Sequence, residues 1–343
     1  MKALFILGVD QDYRPERWRS RHHVYSHLAR GLASFGIHHH LYANPASVKS
    51  EYLHTGRYSY STNASLDEVL SQQDFTHAFI WGGRTNADRN IRDRLVQAKI
   101  RCLYAEAGWF PQSGHCYVSE HGTNAECQLN AEGLREHIFD AASFNSVRRG
   151  VLRNLLGLWH GLQAPAMTGN VVMNTGKPIL LPLQDEGDTN IQLSSPIRSM
   201  TEFVRLFAER YPDTRFIARP HPRSPIQIDL DLPNVVVQDS KTNPYIHFKD
   251  YGGIIGINST TLLQFSLLGL PVCGIGQGIG SGTGAYHDLD IFALPADLGD
   301  ISCDLDQSRT FYDFLIRKKQ LENNRLSQRK YLATTYIPQY FGL

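Results

Sequence analysis

The sequence predicts an α/β protein made of two doubly wound halves, and three observations carry that reading. Short apolar, β-rich runs alternate with helical patterns along the chain, the signature of βαβ units and a parallel sheet. The pattern lapses over residues 164–177, where Pro, Gly and Asn occur without period, and restarts at residues 178–183 (PILLPL). A chain of 343 residues with 42% hydrophobic and 20% charged residues is natural for two globular domains.

The elements follow in order. Residues 3–9 (ALFILGV) read as a buried first strand, with a helix near 25–35 and a second strand around 39–42. Residues 76–81 (THAFIW) form a strand that runs into a tight turn at Gly82-Gly83. Residues 101–106 (RCLYAE) are another strand, ending at Gly108, and a long helical stretch spans about 131–156. In the second half, residues 178–183 are a strand. Met200, Phe203, Val204 and Phe207 fall at i, i+3, i+4 and i+7, which predicts an amphipathic helix. Strands follow at 215–218, 235–237, 253–257 and 271–275, with a helix at 260–268 between the last two. Residues 311–332 are charged and helix-prone. The expected organisation is a domain at 1–165, a second at 175–305 and a helical tail at 306–343.

Composition narrows the function classes. A net charge of +1 provides no global field for nucleic acid. Cys102, Cys116, Cys127, Cys273 and Cys303 are odd in number, and no two have metal-site or redox spacing, so they read as reduced thiols of a cytoplasmic protein. The apolar run at the N-terminus stops at Asp10, too soon for a signal peptide, and no segment approaches the ~20 apolar residues of a membrane span. His38-His39-His40 reads as strand rather than metal site: only His38 and His40 share a face, and no acidic or Cys partner is near in sequence. No metal and no cofactor are expected.

Four segments of the second half and one of the first carry candidate chemistry. Gln184-Asp185-Glu186-Gly187-Asp188 follows a strand, the end at which open α/β sheets place ligands. Three carboxylates in four positions cost stability unless a cation, substrate or proton is handled there, although Asp188 can equally cap the next helix. Arg219-Pro-His221-Pro-Arg223 also ends a strand. Its prolines hold His221 in extended or turn geometry, and His and Arg suit a phosphate. Asn258-Ser259-Thr260 joins a strand to a helix, so a hydroxyl can cap the helix or an anion can sit at its N-terminus. Residues 274–284 (GIGQGIGSGTG) have neither Rossmann nor P-loop spacing; they read as a flexible connection or a loop that lets backbone approach a ligand. In the first half, Glu106 stands beside Trp109 and Phe110. An aromatic ring can pack on a sugar face while Glu106 binds hydroxyls, or Trp109 can be buried.

Taken in order, Gln184-x-Glu186-x-Asp188, Arg219-Pro-His221-Pro222, Gly256-Ile-Asn-Ser-Thr260 and Leu268-Gly-x-Pro-Val272, with Glu106-x-Gly-Trp109, resemble the bacterial capsule-synthesis β-Kdo glycosyltransferases. The resemblance covers most of the chain. It implies a GT-B fold, two Rossmann-like domains facing a central cleft with a C-terminal helix. It also implies CMP-Kdo as the donor substrate, held mainly by the second half, and a glycan or lipid-linked glycan acceptor in capsule, O-antigen or lipopolysaccharide synthesis. Carried over by motif position, Asp188 is the nucleophile of a retaining reaction, with Asp185 and Glu186 as neighbouring carboxylates. Gln184, Arg219, His221, Asn258, Ser259 and Thr260 face the donor, and Glu106 and Trp109 face the acceptor.

Two alternatives stand beside it. Asp185-Glu186-Gly187 followed by His221-Pro222 also resembles the bacterial GT-B sialyltransferases, which use CMP-Neu5Ac and invert configuration. A non-catalytic glycan- or nucleotide-binding relative would keep the fold without needing the crowded carboxylates. The tail bases Arg317, Lys318, Lys319, Arg325, Arg329 and Lys330 can rest on anionic lipid or form a solvated helix face.

Overall fold

The computed structural model describes residues 1–7, 15–43, 64–127, 131–157, 166–222, 224 and 231–343. These form two compact units, Met1–Gln128 with Ile316–Leu343, and Leu129–Leu315.

The first unit runs β1 (Lys2–Leu7), α1 (Pro15–Ala33), β2 (His38–Ala43), α2 (Leu66–Gln72), β3 (His77–Trp81), α3 (Asn86–Gln97), β4 (Arg101–Ala107) and β5 (His115–Ser119). The first four strands are parallel in the order β2-β1-β3-β4. β1 is buried on both faces, which is why it reads as a continuous apolar run. Its alternate residues serve two layers. Phe5 and Leu7 pack with Tyr25, Leu28 and Leu32 of α1, whereas Leu4 and Ile6 pack with Leu66, Val69 and Leu95 of α2 and α3.

The second unit continues with α4 (Ala131–Arg135), α5 (Ala141–Leu156), β6 (Asn170–Val172), β7 (Ile179–Pro182), α6 (Thr189–Ser194), α7 (Met200–Arg210), β8 (Phe216–Arg219), β9 (Val235–Val237), β10 (Gly253–Ile257), α8 (Thr260–Leu267), β11 (Val272–Ile275), β12 (His287–Asp288), β13 (Ser302–Asp304) and α9 (Leu305–Phe314). Its main sheet is parallel in the order β9-β8-β7-β10-β11-β12. This is the doubly wound order whose chain direction reverses between the first and fourth strands, here β7 and β10, and ligands bind outside the carboxyl ends at that point. The amphipathic helix is α7, with Met200, Phe203, Val204 and Phe207 buried against the sheet. Gly256 permits a close approach at the switch: a Cβ there would lie 2.9 Å from Leu262 and 3.2 Å from Pro182.

Three expectations change. The helical stretch at 131–156 splits into α4 and α5, because Asp140 caps α5 by accepting from Ala142 N and Ser143 N. α5 also belongs to the second unit, where Arg148 Nε donates to Leu267 O at 2.9 Å. The stretch at 164–177, read as the domain boundary, therefore falls within the second unit, and the units part after Gln128 and after Leu315.

The tail at 311–332 is not one helix. α9 passes into a π-helical turn at Leu315–Lys319, and the chain then returns to the first unit. There Leu321–Glu322 pairs antiparallel with β5, itself antiparallel to β4. Leu326, Leu332, Ile337 and Phe341 fill the same core as Phe5 and Phe79. Three of the tail bases are committed locally. Arg325 pairs with Glu322 and covers Tyr331, Arg329 donates to Ser34 O and covers Phe35, and half-buried Lys319 lies over Tyr336. All five cysteines are free thiols. Among the described residues no helix is long and apolar enough to cross a membrane.

Candidate functional site

Three of the motif segments leave the second sheet side by side. Pro182 of β7 is in register with Arg219 of β8, and Leu183 N donates to Arg219 O at 2.9 Å. On the other side, Leu180 pairs with Ile254 of β10, and four residues further on Gln184 meets Asn258. Gln184 Nε2 donates to Asn258 Oδ1 at 3.4 Å across the switch point. Asn258 Nδ2 in turn faces the carbonyls of Asn190 at 2.9 Å, Gln277 at 3.1 Å and Ser194 at 3.4 Å. One amide thus gathers the segments that follow β7, β10 and β11. Gln184 is 8% exposed, and its Oε1 takes no hydrogen bond among the described residues. A buried unpaired acceptor costs about 1–3 kcal/mol, which a ligand donor would recover.

The acidic turn is organised by backbone. Asp185 Oδ1 accepts from Gly187 N at 3.0 Å, and Asp188 N donates back to Asp185 O. Glu186, half-buried, accepts from Met200 N at 2.6 Å and so satisfies the first N–H of α7, where negative charge also favours the helix dipole. Asp188 caps α6 through Oδ1, which accepts from Asn190 N at 2.8 Å. It is exposed, and its Oδ2 takes no hydrogen bond among the described residues. Capping therefore occupies one of its oxygens and leaves the other for chemistry.

His221 is half-buried in a turn, with Ser224 N donating to its carbonyl at 3.1 Å; Arg223 lies outside the described residues. Arg219, expected to face the donor, commits one nitrogen, Nη2, to the carbonyls of Ser240 and Thr242, at 2.9 and 3.1 Å, while its buried Nε takes no partner among the described residues. Burial lowers its pKa from the usual arginine value. Through Nη2 it fixes the loop beyond β9. At α8, Ser259 is the cap, its hydroxyl accepting from Thr261 N at 3.2 Å, and Thr260 opens the helix. An anion there would meet backbone N–H groups and the positive helix end.

The glycine-rich segment is a built turn rather than a slack connection. Gly278 N donates to Ser281 Oγ at 2.9 Å, and Gly282 N to Asp288 Oδ2 at 2.8 Å. Burial raises the Asp288 pKa above the ordinary carboxylate value. The turn borders a cleft of about 690 Å³ within the second unit, whose other wall is Ser194, Ser195 and Pro196. Gly276, at φ +72°, is required where it stands, since a Cβ would lie 2.5 Å from Ser194 O.

In the first unit, Glu106 is half-buried and accepts from the adjacent Ala107 N at 2.9 Å. Trp109 does not fit the acceptor role read for it. It is 2% exposed and stacked on Tyr117, with ring centroids 4.4 Å apart and planes 16° apart. Its ring is core, with no face for a sugar. What holds it is Gln320, a residue that sequence reasoning missed. Gln320 Oε1 accepts from Trp109 N and Phe110 N, both at 2.8 Å, and Nε2 donates to Phe110 O at 2.8 Å. Gln320→Ala would remove three hydrogen bonds to buried backbone groups and is expected to destabilise this unit by about 2–4 kcal/mol. Urea unfolding followed by tryptophan fluorescence checks this; a change below 1 kcal/mol would remove Gln320 from this role.

No family model and no curated protein matches the sequence. Among solved structures, the chain is similar to the KpsC β-Kdo 2,7 transferase of Thermosulfurimonas dismutans, with a TM-score of 0.55 and 14% identity over 97% of this chain and 99% of that one. It is also similar to the KpsC β-Kdo 2,4 transferase of the same organism, with a TM-score of 0.50 and 13% identity over 84% and 87% of the two chains. At these identities the likeness is one of fold, an α/β chain of the GT-B class.

Proposed function

We propose that this chain is a glycosyltransferase that moves Kdo from CMP-β-Kdo to a glycan acceptor in bacterial surface-polysaccharide synthesis. The observation that carries the reading is the convergence of the acidic turn, the His221 turn and the Asn258-Ser259-Thr260 corner on adjacent strands at the switch point, joined by the Gln184–Asn258 contact. A fold shared with two β-Kdo transferases supports it.

In this reading the CMP phosphate rests at the N-terminus of α8, with Asn258, Ser259 and Thr260 around it. His221 donates to the phosphate as it leaves. The free oxygen of Asp188 attacks C2 of Kdo while the C2–O bond to phosphate breaks, which gives an Asp-linked Kdo ester and CMP. An acceptor hydroxyl then displaces Asp188, losing its proton to a base, so two inversions retain configuration. Glu186 keeps the turn against α7, Asp185 shapes it, and Gln184 Oε1 accepts from a donor hydroxyl. Arg219 acts through the loop it holds. Glu106 remains the acceptor-side carboxylate, and exposed Lys318 and Lys330 are the tail bases offered to anionic lipid.

The test is CMP release by purified protein, with CMP-Kdo generated in situ, against CMP-Neu5Ac. Release from CMP-Kdo that persists in EDTA is the expected result. Release from CMP-Neu5Ac alone would replace this reading with a sialyltransferase, and nucleotide binding without turnover would replace it with a binding module.

A further inference from the structure

The two proposed phosphate contacts leave the sheet from strands that are not neighbours: His221 follows β8, α8 follows β10, and β7 lies between them. We infer that Tyr245 is a positioning residue that ties the first turn of α8 to the segment carrying His221, so that the two contacts keep one spacing; this rests on the reading in which they share the donor's phosphate.

The tie runs through the loop between β9 and β10 and bypasses β7. Arg219, two residues before His221, donates through Nη2 to the carbonyls of Ser240 and Thr242, at 2.9 and 3.1 Å. Asn243 then turns the chain. Its Oδ1 accepts from Tyr245 N at 3.0 Å, and its Nδ2 donates to Leu155 O at 2.9 Å, so the loop is held to α5 as well. Tyr245 closes the path on α8. Its hydroxyl donates to Gln264 Oε1 and lies against the Thr261 side chain, which is three residues back on the same helix face. Its ring packs on Phe265, with centroids 4.8 Å apart. Burial raises the hydroxyl pKa to about 12, so it stays a donor near neutral pH. Thr261 N is also the group that Ser259 caps, so the hydroxyl bears on the turn whose N–H groups would face the phosphate.

The effect falls on the chemical step. The phosphodiester of the donor carries one negative charge, and the leaving CMP gains a second as the C2–O bond breaks. A helix end set out of place therefore costs more in the transition state than in the bound donor.

The experiment compares wild type with Tyr245→Phe, Gln264→Met and the double variant, by steady-state CMP release from CMP-Kdo and by thermal unfolding. Tyr245→Phe keeps the ring on Phe265 and loses only the hydroxyl. It is expected to lower kcat by roughly tenfold with KM within about threefold of wild type. Gln264→Met removes the acceptor at the other end of the same bond and keeps a good helix former. It is expected to lower kcat by a similar factor, and the double variant to fall no more than about twofold below the lower single variant. Unchanged kcat in Tyr245→Phe, whatever its unfolding temperature, would make the hydroxyl a packing contact and overturn the inference while leaving the donor reading intact. Losses that multiply in the double variant would overturn it too, because the two residues would then act separately. Should Tyr245→Phe fail to fold, kcat of Gln264→Met alone decides. Wild type that releases no CMP from CMP-Kdo would overturn the donor reading and this inference with it.

Discussion

Asp188→Asn is expected to lower Kdo transfer by about 10³-fold or more while leaving the fold unchanged. The two effects separate because Asp188 does two things with two oxygens. Its Oδ1 caps α6 through Asn190 N, and asparagine caps a helix about as well as aspartate, so the variant keeps that bond. Its Oδ2 is the proposed nucleophile, and an amide cannot replace it. Asp188→Ala should show the same loss of transfer together with about 1 kcal/mol of destabilisation from the missing cap. Steady-state CMP release and thermal unfolding of both variants check this. Transfer that survives in Asp188→Asn but falls in Asp188→Ala would mean that Asp188 is a cap only, and the nucleophile would have to be sought at Asp185 or Glu186.

His221→Ala is expected to lower kcat by about 10²–10⁴-fold, the range for loss of a positioned proton donor. His221 sits one strand from the acidic turn, in a segment stiffened by Pro220 and Pro222 and closed by Ser224 N on its own carbonyl. The backbone bond does not depend on the side chain, so truncation should leave the turn in place. A donor with a better leaving group than CMP should recover part of the lost rate in the variant, because it needs less help to depart. A variant that changes KM alone would place His221 in binding rather than in departure of the phosphate.

The parts of the fold legible in the sequence are those whose signal is local. The spacing of Met200, Phe203, Val204 and Phe207 reads directly as α7, because one face of a single helix meets one sheet. The strands of the second half read as apolar runs because a parallel sheet covered on both faces makes them so. Long-range partners escaped. The second half of the tail resembles a helix until Leu321, Leu326 and Leu332 are seen to fill the core of the first unit, far back in the chain. α5 looks like the end of the first half until its distant partners are seen: Arg148 donates to Leu267 O, and Asn243 donates to Leu155 O.

The site divides along the same line. Asp188 as a cap, Ser259 as a cap and the level exit of three segments from one sheet can be read from strand ends and helix starts. The fate of Trp109 cannot, because it is decided by Tyr117 and by Gln320, which lies 211 residues away. Arg219 is a similar case. Beside a histidine and two prolines it looks like a phosphate fork, yet one of its nitrogens is given to the carbonyls of Ser240 and Thr242, which lie more than 20 residues on.

The central claim is a double displacement on Asp188, and intact-protein mass spectrometry after incubation with CMP-Kdo generated in situ tests it most directly. The wild-type chain should gain the mass of one Kdo residue when acceptor is withheld, lose it when acceptor is added, and show no gain as Asp188→Asn. CMP release from CMP-Kdo with no adduct on wild type, or an adduct that persists in Asp188→Asn, would contradict the account.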